Sequence, residues 1–162
     1  MTSFRIFEII LYSCLNLLPY LGLALYPFAD KLRFSKVKVG LFIFLLLFFQ
    51  TSLGIYATTC SQGQKGMLSL ISTLCYGIFY FFVVKETPGK LIFVLLIVSN
   101  FANFIVICAK WMEAQIFPKM VFDNNSWSFS LCTFVAQIIF IPMLFIYFRK
   151  HIKEIATIET GR

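Results

Sequence analysis

Five apolar runs of 18–23 residues, at 6–28, 39–59, 67–84, 91–109 and 128–148, constrain this chain more than any other feature. An α-helix rises about 1.5 Å per residue, so each run can cross a hydrocarbon core of about 30 Å. Lipid offers no hydrogen bonds to a bare backbone, so crossing segments must satisfy themselves as helices. The chain is 60% hydrophobic and 13% charged, which leaves too little polar surface to clothe a water-soluble domain. The five runs take most of the 162 residues, so no separate soluble domain of about 100 residues fits beside them. The expected class is all-α: a polytopic membrane helical bundle of about five transmembrane helices. Residues 1–148 form the membrane domain, and 149–162 a basic cytoplasmic tail or helix extension.

The connecting segments alternate in charge. One set holds Lys31, Arg33, Lys36, Lys38, Lys85, Lys90, Arg149, Lys150, Lys153 and Arg162; the other holds Arg5, Lys65, Lys110 and Lys119. Basic loops stay on the cytoplasmic side, so the N-terminus is expected outside and the C-terminus inside. The net charge of +7 then reflects orientation and contact with anionic headgroups, not nucleic acid. Trp111, Trp127 and Tyr147 flank spans, as interfacial aromatics do. The first run is too long for a signal peptide and carries Glu8 and Asn16, so it reads as a retained span.

Residues 61–66 and 85–90 are tight turns that make consecutive helices antiparallel neighbours. Residues 110–127 are longer. A short amphipathic helix around 112–117, ended by Pro118, and a turn at Asp123-Asn124-Asn125 are expected there. This segment is the expected recognition surface for a peptide or small-molecule signal. Asn124-Asn125-Ser126 fits the glycosylation pattern, which matters only in a eukaryotic secretory pathway. Past the last span, residues 147–158 lack Pro and Gly, and Ile152, Ile155 and Ile158 recur at steps of three, which predicts a helix running into the cytoplasm.

Polar residues inside spans need partners. Ser99, Asn100 and Asn103 in the fourth span form either a buried polar signal site or interhelical hydrogen bonds, and the second reading is preferred because such bonds are common. Both asparagines are expected to face the bundle interior. Ser69, Thr73 and Gly77 in the third span make a small-residue stripe for helix packing or a homodimer face. Gly54 and Thr58 repeat it weakly. Glu8 lies near a span end and is expected to reach the headgroups. Pro19 and Pro142 interrupt their helices and favour bends.

Cys14, Cys60, Cys75, Cys108 and Cys132 form no CxxC pair, so they read as small packing residues, with a Cys60–Cys108 disulfide conceivable at the outer face. No metal ligand set, nucleophile motif or phosphate loop is present, and no cofactor is expected. His151, the sole histidine, sits among basic neighbours and reads as solvated.

Several stretches resemble the N-terminal membrane sensor region of bacterial GHKL-type sensor histidine kinases. They are Leu18-Pro19-Tyr20 through Ala24-Leu25-Tyr26-Pro27-Phe28, Lys31-Leu32-Arg33-Phe34-Ser35, Pro88-Gly89-Lys90-Leu91, Ser99-Asn100-Phe101-Ala102-Asn103-Phe104 and Trp127-Ser128-Phe129-Ser130-Leu131-Cys132. The resemblance implies a sensor portion of a two-component system, whose histidine-bearing helix and ATPase domain would lie beyond Arg162. No residue here matches the family's phosphoacceptor or nucleotide motifs, so kinase activity is not carried over. Two functions follow: a membrane signal-input module, or alternatively a small integral-membrane transport subunit binding a small solute. A transport subunit should hold a central polar cavity. A sensor should be a tight bundle with a helix leading into the cytoplasm. A membrane enzyme is the weakest reading, because no charged catalytic pair lies at a membrane face.

Overall fold

The structure is a computed structural model that describes residues 2–122 and 126–152. Five helices are long and apolar enough to cross a membrane. They are α1 (Ser3–Leu25), α2 (Lys36–Ala57), α3 (Gln62–Val83), α4 (Pro88–Ile116) and α5 (Trp127–Tyr147). A 3₁₀ turn, Tyr26–Phe28, closes α1, and a π-helical turn, Phe148–Ile152, extends α5.

Local chemistry sets the starts. Ser35 and Ser126 cap α2 and α5 by accepting from Lys38 and Phe129 N–H groups. Ser61 and Gln64 form a capping box on α3, and Pro88 occupies the first turn of α4. α4 differs most from expectation. The separate helix expected at 112–117 does not exist; those residues are the last turns of α4. No Pro or Gly lies between Gly89 and Pro118, so nothing stops the helix until the residue before Pro118 loses its helical preference. Beyond α5 the chain stays helical through Ile152. The remainder of the expected cytoplasmic helix lies outside the described residues, as does the turn at Asp123-Asn124-Asn125.

The core sits among α1, α4 and α5. Leu23, Val94, Ile105, Ala136 and Leu144 interlock there, and the cluster extends to Phe28 and Phe148 at one end. α2 and α3 form an outer pair. α2 buries only Val39, and α3 only Tyr80 and Val83. α2 closes on α1 at Gly54, where a Cβ would stand 2.9 Å from Ile9 Cγ2. α3 touches α4 little.

At the basic end the two loops pair. Lys85 N–H donates to Lys31 O and Arg33 N–H to Val83 O, both at 2.8 Å. Lys31 Nζ also donates to Glu86 Oε2, with Lys90 Nζ 3.8 Å from the other oxygen. The hydrogen bond from Lys31 holds the Glu86 carboxyl below its usual range, helped by the Thr87 N–H. All five cysteines are free, so the conceivable Cys60–Cys108 disulfide is not formed.

Candidate functional site

Two constellations of polar side chains lie within the bundle, and they differ in kind. The first sits at the far end, where α5 begins. Glu113 is fully buried and accepts from Ser126 Oγ at 2.8 Å, Ser128 Oγ at 2.5 Å and Lys110 Nζ at 2.7 Å. Lys110 lies 4.3 Å from the centroid of the Phe129 ring and donates also to Val121 O. Glu8 is 5% exposed and accepts from Arg5 and from the Trp127 N–H, each at 2.8 Å. It does not extend into the headgroups as expected. A helix N-terminus presents unpaired N–H groups and a partial positive charge, so the two carboxylates are stabilised where α5 starts. Every oxygen of this cluster is engaged, and it serves to join α1, α4 and α5.

The same helices share one further polar joint. Pro19 has no N–H, so Leu15 O loses its helical donor four residues on. Gln137 Nε2 supplies the replacement, donating to Leu15 O at 2.7 Å and approaching the Tyr20 hydroxyl at 3.4 Å. Ser130 and Thr133, on the same helix, keep buried hydroxyls with no partner; nothing in the structure explains them.

The second constellation is open. Because α3 stands off from α4, a cavity of about 290 Å³ remains between α1, α3 and α4. Asn16, Thr73, Tyr76, Ser99 and Asn103 line it, with Leu17, Leu95 and Val98 as apolar wall. A second cavity of about 240 Å³ lies between α1, α2 and α3, lined by Ser13, Gln50, Ser69, Ser72 and Lys65. Asn16, Thr73 and Tyr76 line both, so the cavities meet at those residues. Tyr76 donates its hydroxyl to Gln50 across α2 and α3. From Lys65 in the first turn of α3 to Tyr80 in its last, the lined path covers about 22 Å at the helical rise. Its floor is closed: the buried Tyr80 hydroxyl donates to Ala24 O at 2.9 Å, and Phe28 packs edge-on against the Tyr80 ring.

The residues singled out by sequence divide accordingly. Ser99 and Asn103 line the larger cavity. Asn100 is exposed and lines neither cavity, contrary to the expected inward position. It follows the buried Val98 by two residues, about 200° round the helix, so it points away from the core. Ser69 and Thr73 line the cavities, and the Gly77 Cβ position opens onto space with no atom within 4 Å. Reading the sequence passed over Gln50, Gln137 and Glu113. The two glutamines carry the same signal as the asparagines, an amide inside an apolar run; Glu113 falls in the short helix expected at 112–117, outside the predicted spans. Among the described residues no group of three or more His, Cys, Asp or Glu side chains is placed to hold a metal. No protein-family model, curated protein or solved structure matches the chain.

Proposed function

We propose that the chain is a multi-pass cell-membrane protein that binds a small solute between α1, α3 and α4, as a small transport subunit does. One observation carries this reading: Asn16 of α1 and Ser99 and Asn103 of α4 face open space at mid-helix, opposite Thr73 and Tyr76, whose hydroxyls are bonded within α2 and α3. Among the described residues, Asn16, Ser99 and Asn103 have no side-chain hydrogen bond across the cavity. A polar group held in hydrocarbon without a partner is destabilising, so such groups mark a place that water or a ligand fills. The path reaches the Lys65 end of the bundle and stops at Tyr80. Charge distribution supports an orientation with Lys65 outside and the basic loops inside.

A second reading, the signal-input module of a sensor histidine kinase, has support of its own. Phe148, in the π-helical turn that prolongs α5, is fully buried in the cluster that also holds Phe28. That seat couples the inner end of α1 to any segment following α5. Solute binding suits both readings, and transport additionally requires the Tyr80 floor to open.

Thermal unfolding in lipid nanodiscs, run against a panel of amino acids, sugars and nucleobases, tests the binding reading. The expected result is a compound that raises the Tm of the native protein and leaves Asn103→Leu unmoved. A shift of equal size in Asn103→Leu and Thr73→Leu would place the ligand elsewhere and defeat the proposal. Flux into proteoliposomes of the compound found would then favour transport over sensing.

A further inference from the structure

The two cavities, joined at Asn16, Thr73 and Tyr76, carry an electrostatic asymmetry that narrows the ligand. Among the described residues, Lys65 is the one charged residue in either lining. The nearby acid on α1, Glu8, is already held by Arg5 and the Trp127 N–H. No acid lies in the first turn of α3, so the partial positive charge of that helix end adds to the lysine. Below Lys65 the walls change character. Ser69, Ser72, Thr73 and Asn16 offer uncharged donors and acceptors, and the larger cavity beyond them mixes amides with Leu17, Leu95 and Val98.

Resting on the solute-binding reading, we infer that the site takes an anionic solute, with its carboxylate-type or phosphate-type group at Lys65 and an uncharged, partly apolar body reaching past Thr73 toward Asn103. A cation would meet an uncompensated positive charge at the mouth. A neutral solute would leave that charge unused at a half-buried position, where electrostatic interactions exceed those in bulk water. The anionic group belongs either to a soluble molecule or to a lipid headgroup entering from the bilayer, since both present the same charge to Lys65.

Charge-selective thiol labelling tests this without knowledge of the ligand. With the five native cysteines replaced by alanine, Thr73→Cys and Ser69→Cys each place a thiol in the path, and Phe122→Cys gives an exposed reference. Protein in phosphatidylcholine nanodiscs is treated with sulfonatoethyl methanethiosulfonate, an anion, and with trimethylammonioethyl methanethiosulfonate, a cation. Relative to the reference site, the anion should be favoured by about fivefold at both positions, and Lys65→Gln should abolish that preference. Equal relative rates, or a preference that survives Lys65→Gln, would overturn the anion assignment while leaving a wet cavity and the solute-binding reading intact. No reaction of either reagent at both positions would show a closed, dry space and bring down the binding reading itself. Adding phosphatidylglycerol identifies the source once anion preference is established. A slower anionic reaction at Thr73→Cys, with the reference-site rate as control, assigns the site to the headgroup; an unchanged one assigns it to a soluble anion.

Discussion

α1, α4 and α5 pack as a closed trio, whereas α2 and α3 lean on that trio and leave space. Where the trio's helices meet, polar residues bond to one another: Glu113 to Ser126, Ser128 and Lys110, Glu8 to Trp127, Gln137 to Leu15. On the side that faces α2 and α3 the pattern reverses: Asn16, Ser99 and Asn103 turn toward cavities that Ser69 and Thr73 also line. Both regions contain polar atoms in an apolar setting, so polarity alone does not mark a site. What separates them is whether the partners come from the protein.

The comparison is broken most directly at Glu113. Glu113→Ala should destabilise the bundle by about 2 kcal/mol, because it leaves the buried Ser126 and Ser128 hydroxyls without their acceptor and takes the partner from the half-exposed Lys110. Unfolding in mixed micelles measures it, and a loss under about 1 kcal/mol would mean that the far-end cluster does not hold the trio.

Gln137→Leu should have the next largest effect, about 1 kcal/mol, by leaving Leu15 O without a donor beside Pro19. Hydrogen exchange should then rise around the α1 proline and stay unchanged in α3. Exchange that rises equally in both would contradict the separation into two regions.

Ser130→Ala and Thr133→Val probe two buried hydroxyls on α5 that have no partner. Removing an unpartnered buried hydroxyl should be neutral or stabilising by up to about 1 kcal/mol. Thr73→Leu, in the cavity, should likewise leave the unfolding midpoint nearly unmoved, yet remove solute binding. A large destabilisation by Thr73→Leu would indicate that the cavity wall is packed like the trio.

Acid sensitivity at the loop pair gives the smallest effect. The folded state lowers the Glu86 pKa, so its charged form is favoured on folding. This stabilisation is fully present above the ordinary carboxylate pKa and is lost as pH falls through the lowered value. Glu86→Gln should therefore flatten the decline of the unfolding midpoint between about pH 5 and pH 3. An unchanged slope would show that the Lys31–Glu86 contact does not contribute.

The five long apolar helices were legible because each is a local property: an apolar run, a capping serine, a proline after the last turn. Ser99, Asn103, Ser69 and Thr73 were also legible as residues needing an explanation, since an amide or hydroxyl in an apolar run is visible in one dimension. Which of them faces open space was not. Asn100 and Asn103 are three apart, yet one points away from the core and the other into a cavity, because the cavity occupies only one sector of α4.

Sequence by itself determined the number of long apolar helices, their antiparallel order and the charge asymmetry between the two ends. These follow from hydropathy, loop length and the placement of Lys and Arg, none of which depends on distant contacts. Only the tertiary structure decided that Gln137 replaces the donor missing at Pro19, that Glu8 and Glu113 meet at the start of α5, and that α3 stands away from α4. Those outcomes depend on the rotation and spacing of helices separated by up to 122 residues. Small differences in packing fix such geometry, and no single stretch of sequence encodes it.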